Sequence, residues 1–437
     1  MLDIQYIRDH VETIRQAVLN KRLTLDVDAL LAADQDRRSL LREVEELQSL
    51  KNDINDLIHQ AKTPEERTEV IAKGKDIKAK LEEKEPLLAA AQAKYDELMA
   101  EVPNVPSDDT PIGKDESENK VLRTVGDIPQ FAFQPKEHWE LGAALDIIDT
   151  ERAVKISGSR FAYLKGDAAL LQFALIQYVF SVLTNTETLR TIASEAGLTV
   201  SDKPFVPIVP PVLVKTETLS RMARLEPKEE RYAVPGDDLY LVGSAEHSIG
   251  SMYMDETLDE SELPIRYIGF SSAFRREAGS YGKDMKGILR LHQFEKLEME
   301  SFEVSERSRS EHDFFTAIQE YLMRSLGIPY QVVLKCTGDM GTPNARAVDI
   351  EAWIPGQNKY RETHTADLMT DYQARRLNTK VKRIDGRLER VHMNDGTAFA
   401  IGRTLIAILE NYQQEDGSVV IPEVLRSFVG KDKIWKK

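Results

Sequence analysis

Between Leu30 and Ala100 the chain has almost no glycine or proline and few aromatics, and Leu, Ala, Glu, Lys and Gln dominate. That composition fits long helices and little else. Leu40, Val44, Leu47, Lys51, Ile54 and Ile58 recur in steps of four and three, the seam of a heptad repeat, and Ile77, Leu81, Lys84, Leu88, Ala91, Tyr95 and Leu98 repeat the rhythm. Between the two runs, Thr63-Pro64-Glu65-Glu66 reads as a helix start, with an N-cap threonine, proline at the first helical position and a glutamate closing a capping box. Helices joined by so short a turn run antiparallel.

Facing residues in such a hairpin share a constant index sum. Ile58 with Ile77, Ile54 with Leu81, Leu47 with Leu88, Val44 with Ala91 and Leu40 with Tyr95 all sum to 135, which is the expected register. It sets Lys51 against Lys84. Two buried ammonium groups repel, so their stems are expected to line the seam while the heads reach water, with Glu46 or Glu83 as partners. A functional reading makes that layer a phosphate contact. Pro86 is expected to bend the second helix, because proline removes a ladder hydrogen bond. Each helix of roughly 35 residues spans about 50 Å. A rod of that length forms no globular core, so it must reach something.

The hairpin gives way at Val102-Pro103-Asn104-Val105-Pro106 to a polar, acidic stretch reaching about Gly126. Beyond it, Phe205–Val209, Gln331–Leu334, Ala347–Trp353 and Ala398–Ile401 read as strands, and Ala168–Leu183 and Ser310–Leu326 as helices. Strand and helix do not alternate regularly, so an antiparallel α+β domain is expected rather than a doubly wound one. Neither a Walker loop nor Gly-x-Gly-x-x-Gly occurs, so any nucleotide is held another way.

With 437 residues the chain suits two domains, or one large domain with an appendage. Its single cysteine, Cys336, permits no internal disulfide and reads as a packed thiol in a reducing compartment. The beginning, Met1-Leu2-Asp3-Ile4-Gln5, lacks the basic-then-apolar pattern of a signal peptide, and the apolar runs are too short to cross a bilayer. A cytoplasmic protein with no membrane partner is the expectation. The net charge of −15 argues against bulk electrostatic coating of nucleic acid. Local basic patches remain possible, as at Arg375-Arg376, Lys380, Lys382-Arg383, Arg387 and Arg390, which read equally well as a solvated face or as an RNA contact.

The densest chemistry is Phe274-Arg275-Arg276-Glu277-Ala278-Gly279-Ser280, continuing through Gly287, Arg290 and His292-Gln293-Phe294-Glu295-Lys296-Leu297-Glu298. By itself this is a turn-rich loop between two charged strands, whose arginines could grip phosphates bidentately. As a whole it resembles motif 2 of class II aminoacyl-tRNA synthetases, and more narrowly that of the seryl-tRNA synthetase family. Gly402-Arg403-Thr404-Leu405-Ile406-Ala407-Ile408-Leu409-Glu410-Asn411-Tyr412 resembles the family's motif 3. Asp371-Tyr372-Gln373-Ala374-Arg375-Arg376-Leu377-Asn378, Gly356-Gln357, His138–Gly142 and Gly158–Phe161 match it as well, and Pro210 stands where motif 1, a dimer-forming element, has its proline.

The resemblance implies an antiparallel-sheet class II catalytic domain over 126–437, a linker over 106–125, and an N-terminal tRNA-binding domain over 1–105 carrying a two-helix coiled-coil arm. It implies a homodimer that activates L-serine with ATP and Mg²⁺ and charges tRNA(Ser), and tRNA(Sec) where that exists. Arg275 would then hold the α-phosphate and the serine carboxylate, and Arg276 and Leu291 would also contact ATP. Glu277 would meet the adenine, Phe294 would stack on it, and Arg403 would sandwich it and reach the outer phosphates. Glu362 and Thr365 would hold Mg²⁺, with Thr363 and His364 beside the nucleotide. Ser244, Ala245, Glu246, Glu298, Asp395 and Thr397 would select serine, because a carboxylate that accepts the substrate hydroxyl's proton is left unpaired by alanine. The reaction is an in-line attack of carboxylate on phosphorus, in which the protein positions reactants and neutralises charge. Arg275 and Arg403 would carry that work.

Three places depart from the family. Ser244-Ala245-Glu246 stands for Thr-x-Glu, Glu362-Thr363-His364-Thr365 for Glu-x-Ser-Ser, and Asp395-Gly396-Thr397 for a frequent Asn-Gly-Ser. Hydroxyl replaces hydroxyl, at a methyl-sized cost of about 1 kcal/mol in fit. The Gly-Thr-Gly-Gln-Leu-Pro stretch common after motif 1 is missing, and Arg224-Leu225-Glu226-Pro227 stands near its place. His364 reads better as a supporting group than as a base, and His292 as a hydrogen-bonding strand residue. A carrier-protein aminoacylating paralogue would lack the arm, a dead relative would lack the ATP arginines, and a threonine enzyme would need a zinc site that one cysteine and scattered histidines do not offer.

Overall fold

The computed structural model describes residues 1–278 and 286–436. The loop residues Gly279 and Ser280 therefore lie outside the described residues. The chain forms two compact units, Met1–Pro103 and Asn104–Lys437.

In the first unit, short helices α1 (Ile4–Asp9) and α2 (Val11–Asn20) pack Ile7 and Ile14 with Leu30 at the base of α3 (Val27–Gln60), all three fully buried. Asp34 of α3, 1% exposed, is held by three guanidinium groups. Arg8 grips it bidentately at 2.8 and 2.9 Å, and Arg37 and Arg38 reach it at 3.3 and 3.0 Å. The partner helix α4 (Pro64–Glu101) starts at the expected capping box, in which Thr63 Oγ1 accepts from Glu66 N–H and the Glu66 carboxylate accepts from Thr63 N–H. It runs on through Pro86. At 34 and 38 residues the two helices measure about 51 and 57 Å.

The register differs from the expected one. A Cβ at Gly74 would meet Ile54 Cγ2 at 3.2 Å, Lys84 Nζ lies 2.8 Å from Glu43, Arg37 donates to Gln92 at 3.4 Å, and the Arg37 guanidinium sits 4.4 Å over the Tyr95 ring. Facing residues therefore sum to about 128, one heptad short of 135. A slip of seven residues leaves a heptad seam matched, so the pattern cannot choose between the two. The turn chooses: with three residues between the helices, facing positions must lie nearly equidistant from it. The proposed Lys51–Lys84 layer does not form. Lys84 pairs with Glu43, not Glu46, and Lys51 is exposed.

The second unit is built on an eight-stranded sheet. In chain order its strands are β1 (Lys120–Val125), β2 (Val206–Ile208), β3 (Ile265–Phe274), β4 (Gln293–Glu303), β5 (Tyr330–Leu334), β6 (Arg346–Ile354), β7 (Lys359–Thr370) and β8 (His392–Ala400). They lie in the order β1-β5-β6-β7-β8-β4-β3-β2, antiparallel except for the β2–β3 pair. The stretch expected as a linker is thus built into this unit. Ser107 N–H donates to Ala345 O, Asn104 Nδ2 to Pro343 O and Met369 O, and Lys120–Val125 is the edge strand.

Alternation divides the sheet into two chemically different faces. Leu297 and Met299 of β4, Val348 and Ile350 of β6, and Phe399 of β8 join a core with helices α5 (Asp167–Leu183), α6 (Ser305–Ser325) and α7 (Ile401–Asn411). The opposite face carries Lys296, Glu298 and Glu300. Gln319 of α6 ties the two central strands by donating to Thr365 O and Thr397 O, both at 2.9 Å, and Gly396 lets Phe315 approach where a Cβ would lie 3.0 Å from its ring.

The hairpin register is directly testable. An Ile54→Cys/Gly74→Cys variant should close a disulfide under mild oxidation, and Ile54→Cys/Leu81→Cys should not, as read by peptide mapping. The opposite result would restore the sum of 135.

Candidate active site

The polar face of the sheet floors a cavity of about 330 Å³. Arg275, where β3 ends, and Arg403, in the first turn of α7, both open onto it. Arg275 Nε donates to Gly243 O at 3.1 Å, and its guanidinium lies 5.4 Å from the Phe294 ring centroid. Arg403 reaches Glu362 through both the carbonyl, at 2.8 Å, and the carboxylate, at 3.1 Å. Two cations more than a hundred residues apart in sequence thus face one space. Between them lie Glu277, Leu291 and Phe294. Glu277 is held by Arg290 at 2.6 Å and takes a left-handed φ of 52°.

Glu362 and Thr365 are three residues apart, and simple alternation would send them to opposite faces. They nevertheless both line the cavity. Ile350 pairs with His364 but Glu351 pairs with Glu362, so Thr363 is the extra residue of a β-bulge that turns Glu362 back toward the site. A second bulge, at Ala398, aligns Thr397 with Glu298. Burial works against ionisation of Glu362, but Arg403 and Lys335 outweigh it and hold the carboxyl at about 2.

At the other end of the cavity the charge is almost all negative. Glu246, Glu298, Asp367, Asp395 and Thr397 line it, and Glu300 lies buried beside them. Burial first, then Glu246, pushes Glu298 up to about 7, against the pull of Lys296, whose Nζ is 2.5 Å away. Asp367 and Asp395 stand directly opposite each other on β7 and β8. Burial, then Glu246 and Asp367, raises Asp395 well above the ordinary carboxyl range. Two desolvated carboxyls face to face disfavour each other's ionisation, which holds Asp395 toward its protonated form.

Four expected site residues do not line the cavity. His364 is fully buried on the apolar face, its ring 5.5 Å from Phe399 and its Nδ1 2.8 Å from Thr363 Oγ1. Burial drives it down to about 3, so it is neutral. Ser244 lies behind the site, donating to Glu298 at 3.1 Å and accepting from Lys296 at 3.3 Å. Ala245 is packed against Gly269, and Arg276 points to Tyr232, 5.6 Å from its ring. Conversely Arg224, Lys335 and Asp367 line the cavity and carried no role in the sequence reading. A lone arginine after motif 1 and a lysine after β5 give no periodic signal.

Residues 1–106 match the family profile described as the seryl-tRNA synthetase N-terminal domain, and residues 231–412 match that of the tRNA synthetase class II core domain (G, H, P, S and T). The chain is 38% identical to a serine–tRNA ligase of Thermodesulfovibrio yellowstonii over 99% of this chain and 100% of that one. It is 39% identical to that of Dictyoglomus thermophilum over 100% of both. The chain belongs to the seryl-tRNA synthetase family.

Seryl-tRNA synthetase from Pyrococcus horikoshii, solved in complex with ATP, superposes with a TM-score of 0.88 at 35% identity over 100% of both chains. The cytoplasmic serine–tRNA ligase of Naegleria fowleri, in complex with AMP, gives 0.82 at 28% identity over 100% of this chain and 99% of that one. Within the seryl-tRNA synthetase fold, the basic run near the C-terminal third is internally matched. Arg375 pairs with Asp371, Arg376 donates to Ser220 O and Arg221 O, Arg383 pairs with Glu260, Glu306 and Glu389, and Arg387 with Asp385. Those guanidinium groups are occupied by the fold itself. No single helix among the described residues is long and apolar enough to cross a membrane.

An Asp395 carboxyl raised toward its neutral form approaches the shape and charge of the asparagine frequent in the family. Asp395→Asn should therefore keep the serine KM of pyrophosphate exchange within about threefold and leave the thermal midpoint unlowered, whereas Asp395→Ala should lose a polar contact of about 1–3 kcal/mol. Equal loss in both variants would show that the ionised carboxylate is required.

Proposed function

We propose that this cavity binds ATP and L-serine side by side, forms seryl-adenylate, and delivers the seryl group to the end of tRNA(Ser). The observation that carries the reading is the shared cavity: Arg275 and Arg403 at one end and buried carboxyls at the other. Serine is small, zwitterionic and hydroxylated. Its carboxylate suits Arg275, its ammonium suits Glu246, and its hydroxyl can donate to Glu298 at the oxygen that Lys296 and Ser244 do not use, an acceptor that alanine would not fill. Phe294 offers an aromatic face for adenine, with Glu277 and Leu291 at its edge.

Arg275 then sits where carboxylate and α-phosphate must meet. Bringing two anions together is the main barrier to attack, and a guanidinium between them offsets the repulsion while fixing the in-line approach. Arg403 neutralises charge on the departing pyrophosphate. The carboxylate oxygen forms the new bond to phosphorus as the bond to the β-phosphate oxygen breaks, and no side-chain nucleophile takes part. A ribose hydroxyl of the tRNA end next attacks the seryl carbonyl, and AMP leaves. Glu362 and Thr365 present hard oxygen donors, and the ionised Glu362 suits a Mg²⁺ ion, which when bound supplies charge neutralisation to the phosphates.

The arm of α3 and α4 is the part that reaches tRNA, since a rod of about 50 Å has no core of its own to serve. Homodimerisation through the motif 1 region is supported by the edge position of β2 and by Val206 and Val209, which are 54% and 78% exposed. The mainly internal pairing of acids and bases and the single buried thiol fit a cytoplasmic enzyme.

Serine-dependent ATP–pyrophosphate exchange, run against all twenty amino acids, should respond to serine alone; exchange with threonine or alanine in its place would refute the assignment. Arg403→Ala should slow exchange by about 10²–10³, as for loss of one preorganised donor to developing charge. Removing residues 30–100 should leave exchange largely intact and abolish charging of tRNA. A truncated enzyme that charges tRNA as well as the full chain would end the proposed role of the arm.

A further inference from the structure

Arg224 stands where the family's Gly-Thr-Gly-Gln-Leu-Pro stretch is missing, and none of the roles above uses it. The backbone is shaped to deliver it. The helix Thr216–Arg221 stops, Ala223 takes a left-handed φ of 56°, and Arg224 N–H turns back to Leu219 O at 2.9 Å. Next to it, Leu225 anchors the segment in a small apolar cluster with Val214, Leu219 and Val242. A non-glycine residue in the left-handed region is strained and persists where surrounding structure imposes it.

The side chain leaves this anchor for the amino-acid end of the cavity. Its Nε forms an ion pair with Glu246 Oε1 at 2.7 Å without the alignment of a hydrogen bond, and its Nη2 is 3.6 Å from Asp395 Oδ2, beyond hydrogen-bond length. The side chain is 17% exposed, and those of Glu246 and Asp395 are 10% and 5% exposed, so the contact is made where water screens little. Asp367 and Glu300 add their fields to the same guanidinium. Lys296, a further cation among these carboxyls, is committed to Glu298.

We propose that Arg224 is a positioning residue that fixes Glu246 as the receptor for the substrate ammonium, and so sets affinity for the amino acid without serving the nucleotide. The inference rests on reading the cavity as the serine and ATP site. Glu246 meets Arg224 and the neutral His247 through the same oxygen, Oε1. The carboxylate is thereby aimed, and Oε2 is the oxygen left for an ammonium guest. Without the guanidinium, Glu246 loses its nearest cation in a desolvated space, and the cost of a buried, poorly compensated charge turns it away or protonates it. Either outcome removes the acceptor. The nucleotide half, held by Arg275, Phe294 and Arg403, is unaffected.

The test uses the full-length enzyme with Arg224→Met and Arg224→Lys. Pyrophosphate-exchange kinetics with serine varied give its KM, and calorimetry with ATP alone gives the ATP Kd. Arg224→Met should raise the serine KM by about tenfold or more, the scale of one close and poorly screened ion pair, with the ATP Kd within about twofold. Arg224→Lys should recover part of the loss, since a point charge replaces the fork. An Arg224→Met enzyme with the wild-type serine KM, or one that loses ATP binding in equal measure, overturns the proposal. Absence of serine-dependent exchange in the wild type is a different failure and refutes the cavity assignment itself.

Discussion

Buried carboxyl groups crowd one face of the central sheet, and that crowding governs the rest of the second unit. Glu246, Glu298, Glu300, Asp367 and Asp395 are gathered in a space that water hardly enters. Such a group of anions is tolerable only if cations lean over it and some members keep their protons. Both happen. Lys296 and Arg224 supply positive charge, and burial with mutual repulsion raises Glu300 and Asp395 well above the ordinary carboxyl range. The remaining demand for a cation is what a substrate ammonium can meet, so the same electrostatics that strain the fold prepare the site.

The opposite face shows why such a face can be held. Alternate residues of the same strands, such as Leu297, Met299, Val348, Ile350 and Phe399, are apolar and join the core with α5, α6 and α7, so the backbone is fixed from behind. Buried polar groups tie the segments together. Glu410 accepts from His138 N–H and from Gly356 N–H, both at 2.8 Å, and His138 in turn accepts from Ile288 N–H at 3.2 Å. One carboxylate of α7 therefore links the segment after β1, the turn after β6 and, through His138, the return into β4. Removing one partner of such a buried charged contact costs about 3–5 kcal/mol.

Much of this was legible in the sequence, because it depends on local rules. Heptads gave two long helices, the capping residues gave their junction, and the absence of regular strand–helix alternation gave an antiparallel α+β sheet. Arg275, Glu298, Glu362 and Arg403 all reached the cavity that the resemblance implied for them. The failures have specific causes. The hairpin register was one heptad off because a seven-residue repeat matches itself after a seven-residue slip. His364, two residues from Glu362, would share its face by simple alternation, and the bulge at Thr363 sends it to the apolar side instead.

Periodicity, capping chemistry and family motifs are properties of neighbouring residues, so the amino-acid sequence by itself determined the elements, their class and the reacting groups. Only tertiary structure decided which of those groups share a space. It needed a three-residue turn to set the hairpin, bulges at Thr363 and Ala398 to bring Glu362 beside Thr365 and Thr397 beside Glu298, and a left-handed Ala223 to aim Arg224. Each is a local break in periodicity whose effect is felt many residues away, and pairing between distant strands is what fixes it.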